Sequence, residues 1–115
     1  MKLLSNRFAL KRRVNYALAR TVQLFWNPYK VEIPNGNCPV QCEGFLPTGE
    51  WYYFRSRWNR WYVVVAESEK HWEQNDLIFG YEDFFKDEYI GGWITPLHAY
   101  WLLNKGLKKY YSKRS

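Results

Sequence analysis

Residues 39–66 constrain this chain more than any other stretch. Apolar and polar side chains alternate there through three runs, 40–46, 50–57 and 60–66, separated by Pro47-Thr48-Gly49 and Trp58-Asn59. Alternation at period two, bounded by turn residues, predicts a three-stranded antiparallel meander. The loop lengths set its register and place Phe45 opposite Trp51 and Gln41 opposite Arg55. One face then carries Val40, Cys42, Gly44, Tyr52, Phe54, Trp61, Val63 and Val65. The other carries Gln41, Glu43, Phe45, Trp51, Tyr53, Arg55, Arg57, Arg60, Tyr62 and Val64. Two turns placed independently thus agree on one apolar face and one arginine/aromatic face, although a one-residue slip would reverse a strand.

A chain of 115 residues is expected to form one domain spanning 1–115. Seven Trp, ten Tyr and seven Phe supply more aromatic surface than one small core needs. The excess points to a partner or to an interface between copies, so a homo-oligomer is open. This composition excludes a disordered tail, a collagen-like repeat and a disulfide-stapled miniprotein. No apolar run is long enough to span a membrane, and the chain is too short for a Rossmann enzyme or a TIM barrel.

Charge is segregated. Residues 1–31 hold seven basic and no acidic side chains, 32–94 hold all eleven acids against five bases, and 95–115 hold five bases and no acid. Residues 5–25 read as a helix with Ser5 as N-cap, ended by Asn27-Pro28. Phe8, Leu10, Val14, Ala17, Leu18, Val22 and Phe25 form its expected buried side, and Lys11, Arg12, Arg13 and Arg20 fill the rest. A short extended piece is expected at 31–33, with a loop from Pro34 to Asn37. Glu67, Glu69, Glu73 and Asp76 around His71-Trp72 read as a solvated acidic loop, 77–79 as a short strand and 82–87 as one helical turn. A second helix covers 95–112, with Thr95 as N-cap, Pro96 at its first position and Ala99, Tyr100, Leu103, Leu107 and Tyr110 as its buried stripe. The fold class is therefore α+β: an antiparallel meander of three to five strands packed against N-terminal and C-terminal helices.

Catalysis finds little support. There is no glycine-rich phosphate loop, nucleophile elbow or HExxH. His71 could pair with Glu69 or Glu73, but nothing else assembles around it, and His98 suits packing better than ligation. Cys38, Cys42, His71 and His98 match no zinc spacing, so the thiols read as ordinary buried ones and no metal or cofactor is expected. Two unpaired thiols suit a reducing compartment, here the cytoplasm. The N-terminus lacks the pattern of a secretory signal; it resembles a transit peptide only in being Arg-rich and free of acid.

The arginine/aromatic face carries the functional expectation. Guanidinium groups fork onto phosphate oxygens and aromatic rings stack bases. Tyr53, Arg55, Arg57, Arg60 and Tyr62 therefore suit nucleic acid or another phosphate-bearing ligand, with Glu43 on the same face able to neutralise one arginine. Arg12 and Arg13, with Arg7, Lys11 and Arg20, offer a second contact to phosphates or anionic lipid head groups. The plainer reading of both features is a solvated polar face. The expectation is a small non-enzymatic binding protein. A protein-binding inhibitor or adaptor of mobile-element or phage type, using exposed aromatic hot spots, is the alternative.

Overall fold

The computed structural model describes residues 2–88 and 90–114, apart from the side chains of 2–8. The meander forms as β1 (Val40–Phe45), β2 (Trp51–Arg57) and β3 (Arg60–Ala66). Its register places Phe45 opposite Trp51, Gln41 opposite Arg55 and Phe54 opposite Val63, as the loop lengths dictate. A fourth strand, β4 (Phe79–Phe84), adds antiparallel to β3 and completes the order β1-β2-β3-β4. This corrects both the strand at 77–79 and the helical turn at 82–87. Phe79 and Tyr81 alternate with Gly80 and Glu82, so the apolar pair faces Val65 and Val63 and prolongs the core face.

Tyr52, Phe54, Trp61, Val63 and Val65 are all buried on that core face. They lie beneath a helix, Pro96–Arg114, which is α3 of the chain. Its stripe of Ala99, Tyr100, Leu103, Leu107 and Tyr110 is buried as expected. Thr95 caps it, its Oγ1 accepting the His98 amide at 3.2 Å. The helix comes close to the sheet at Gly106, where a Cβ would stand 2.6 Å from Val63 Cγ2. A helix interior normally disfavours glycine by up to about 1 kcal/mol, so here proximity to β3 outweighs helix propensity. Glu50 ties the far end of α3 to the sheet. It accepts hydrogen bonds from the Tyr110 hydroxyl and from Arg114 Nη1. Burial opposes its charge, but hydrogen bonds, Tyr110 among the donors, and Arg114 hold its carboxyl below the ordinary range. Burial, reinforced by Glu50, pushes the Tyr110 phenol up to about 12.

The N-terminal helix α1 (Lys2–Phe25) packs on α3. It begins before Ser5, so Ser5 is not its cap; the side chains of Ser5, Arg7 and Phe8 lie outside the described residues. Most of its expected buried side is turned outward: Leu10, Val14, Ala17, Leu18 and Phe25 are exposed, while Val22 packs, partly buried, against the core as expected. The side that packs is more polar. Ala19 is buried, Arg12 donates to Ile94 O at 3.1 Å and Gly36 O at 3.0 Å, and Asn15 Oδ1 accepts the Leu97 amide at 2.8 Å. The Leu97 amide is one of the free donors in the first turn of α3 and Ile94 O lies just before it, so α1 docks by satisfying backbone groups there. The 31–33 segment has no strand pairing, but Val31 and Ile33 are buried, and a single bridge joins Asn35 to Gln41. The thiols also depart from expectation: Cys38 is exposed and Cys42 half-buried.

Two outcomes follow. Gly106→Ala should destabilise by about 1–3 kcal/mol in chemical denaturation, since overpacking exceeds the helix-propensity gain. Glu50 is held below its unfolded pKa, so its contribution is present above that value and lost as pH falls through the folded one. Glu50→Gln should therefore be less stable than wild type near neutrality, and the gap should close below about pH 4 in a denaturation series.

Candidate functional site

The face of the sheet away from α3 is built from the outward residues of β2, β3 and β4. Tyr53 and Val64, Arg55 and Tyr62, and Arg57 and Arg60 face each other across β2 and β3. Gly80 opposes Val64 and Glu82 opposes Tyr62 from β4. The missing side chain at Gly80 leaves the floor open there.

One end of this face is closed by a short helix, α2 (Glu69–Glu73), where the sequence predicts a solvated loop. Ser68 caps it by accepting the His71 amide at 3.2 Å, and its hydroxyl also meets His71 Nδ1 at 2.6 Å. The carboxylate nearest His71 is that of Glu67, 3.7 Å from Nε2, rather than Glu69 or Glu73. The helix presents Trp72 to the sheet. Its ring lies 6.1 Å from Trp51 and 5.1 Å from Tyr53, and Tyr53 lies 6.1 Å from Tyr62. Trp51 is buried beneath this cover, although it belongs to the polar face by register.

The result is a groove of about 620 Å³ along Trp72, Tyr53, Tyr62, Arg55, Arg60 and Glu82. It continues into a second depression of about 480 Å³ at Arg57, Trp58 and Phe84. Arg60 stacks on Tyr62 at 4.9 Å and meets Glu82 at 3.4 Å. The carboxylate that reaches an arginine is therefore Glu82 of β4, not Glu43. Arg57 lies 5.1 Å over the Trp58 ring. Among the described residues, neither Arg55 nor Arg57 has an ion-pair partner. Burial, then the neighbouring Tyr62, pushes the Tyr53 phenol up, so it stays protonated and donates to Gln41 Oε1 at 2.8 Å.

The hairpin tip is held in a costly conformation. Trp58 has φ +58°, a region that disfavours a bulky side chain by about 1–2 kcal/mol. Neighbouring backbone fixes it: Gly91 N donates to Trp58 O and Phe85 N to Asn59 O, both at 2.6 Å. Gly91 lies in a 3₁₀ turn, Ile90–Trp93, where a Cβ would stand 2.6 Å from Trp58 O. Only glycine allows this approach.

The structure brings together Tyr53, Arg55, Arg57, Arg60 and Tyr62. It leaves Arg12 and Arg13 elsewhere, on α1, which packs on α3 rather than on this face. Arg12 spends its guanidinium on two backbone carbonyls, and burial lowers its pKa; Arg13 is exposed. Sequence reasoning missed Trp72, Gly80 and Glu82. The Ser68 cap and the alternation of Phe79 and Tyr81 were the available signals. Among the described residues no group of three His, Cys, Asp or Glu side chains is placed to hold a metal ion, and no helix is long and apolar enough to cross a membrane. Comparison with protein-family models, with curated proteins and with solved structures gives no match. The site is defined by its own geometry.

Asparagine tolerates positive φ far better than tryptophan. Trp58→Asn should therefore leave thermal stability unchanged or raise it by up to about 1 kcal/mol, while removing the ring beneath Arg57.

Proposed function

We propose that this chain is a non-enzymatic binding protein whose groove takes single-stranded nucleic acid. The observation that carries this reading is the placement of Arg57 directly opposite Arg60, with Arg55 beside them on the same face. Like charges directly opposite across a sheet are destabilising, and only Arg60 has an ion-pair partner, Glu82, among the described residues. A phosphate seated between them turns that repulsion into charge-assisted, forked hydrogen bonds. The rings of Trp72, Tyr53 and Tyr62 line the adjoining groove, where bases would stack without regard to sequence. Arg60 is already poised between a ring and Glu82, so its guanidinium is oriented before a ligand arrives. A folded duplex fits less well, because its bases are already stacked and unavailable to these rings.

Fluorescence anisotropy with a labelled oligothymidylate, from about 50 to about 300 mM salt, tests the proposal. Affinity should fall steeply with salt, as phosphate contacts release counterions. Arg57→Glu should abolish binding with little change in melting temperature, and Tyr62→Ala should weaken it by about 1–3 kcal/mol. Arg13 lies off the groove, so Arg13→Ala should change affinity little. Absence of binding at the lowest salt would overturn the proposal and turn attention to a protein partner for the exposed aromatic rings.

A further inference from the structure

The outward side of α1 is the largest feature the groove does not explain. Leu10, Val14 and Leu18 recur every four residues, and Leu24 and Phe25 follow Ala17 and Leu18 two turns on, so all six share one side of the helix, and all are exposed. Leu10 is 61% exposed, Leu24 79% and Phe25 87%. The opposite side, through Arg12, Asn15 and Ala19, is the one fastened to α3 and to neighbouring loops. The stripe therefore points away from the domain along most of a 24-residue helix. A helix whose apolar side faces out has not been oriented by the domain's own core.

The flanks of the stripe identify what covers it. Arg13, four residues before Ala17, and Arg20, four before Leu24, border it on one side, and Lys11 borders it on the other. Residues 1–31 contain no acidic side chain at all. Two copies of this helix laid stripe to stripe would bring bases against bases with no acid to offset them, which disfavours self-association. An apolar strip flanked by cations is instead complementary to an anionic bilayer surface: acyl chains meet the strip and headgroup phosphates meet the three flanking cations. The helix has the wrong composition to cross a bilayer, so it would lie in the surface.

We infer that α1 is an interfacial helix that docks this protein on anionic membranes through its outward apolar stripe. This inference is independent of the groove, which opens on the opposite face of the sheet from α3.

Flotation of the full chain with vesicles of equal phosphatidylcholine and phosphatidylserine, against phosphatidylcholine alone, tests it. The protein should float with the mixed vesicles and not with the neutral ones. Arg13→Ala and Arg20→Ala should each weaken binding about fivefold, the equivalent of about 1 kcal/mol per cation at such a surface. Leu10→Asp/Leu18→Asp should abolish flotation while leaving the circular-dichroism melt and oligonucleotide binding unchanged, because both side chains are exposed. Failure of the wild type to float, or flotation that survives the double substitution, would overturn the inference. So would a wild-type dimer in sedimentation that the double substitution dissociates, which would assign the stripe to a second copy.

Discussion

The approach of α3 to β3 at Gly106 governs the rest of the structure. With no side chain at that position, the helix lies against Val63 closely enough to bury Leu103 and Leu107 completely. The helix covers the β3–β4 side of this face, and the turn at 90–93 with the buried residues Val31 and Ile33 covers the β1–β2 side. α1 packs on α3, and the opposite face of the sheet is left to arginines and rings. A bulkier residue at 106 would lift the helix and loosen the whole apolar layer, since close-packed interiors transmit volume changes instead of absorbing them.

Where sequence reasoning succeeded, the information was local and had a single period. The meander's register was legible because two short loops each admit one pairing, and a slip would have put Phe54 or Val63 in water. The second helix was legible from the adjacent Thr95-Pro96 start and its stripe. The first helix was legible as a helix but not in its orientation. Its apolar residues are numerous enough to look like a core face, while Arg12 and Asn15, which do the anchoring, look like solvent-facing residues. Hydrogen bonds to the backbone groups around the start of another helix leave no periodic trace. For the same reason the wall at Trp72 was hidden: an acidic five-residue helix gives no amphipathic signal, and its tryptophan packs on residues far away in the sequence. The candidate site was thus half legible. Its floor follows from strand alternation, and its wall from tertiary packing alone.

The chemistry of the two surfaces differs in kind. The groove sets closely spaced guanidinium groups beside rings held at 5.1 and 6.1 Å from one another, an arrangement that would be preorganised for the proposed polyanion with planar groups. The outward side of α1 instead presents an exposed apolar stripe with flanking cations, of which Arg20 donates to Gln23 Oε1 at 2.6 Å. The first suits the recognition proposed for the groove, the second the adhesion proposed for α1.

The hairpin between β2 and β3 is gripped through main-chain atoms. Gly91 and Phe85 donate amides to the carbonyls of Trp58 and Asn59, so the bonds that shape the tip involve no side chain of residues 57–60. Loop shape and loop chemistry are therefore separable. Exchanging the side chains at 57, 59 and 60 would leave this main-chain grip in place, whereas any side chain at 91 would break it, and the positive φ at 58 narrows the choice there. The shape of the tip is thus set by its mount, and the proposed binding residues Arg57 and Arg60 are separable parts carried on it.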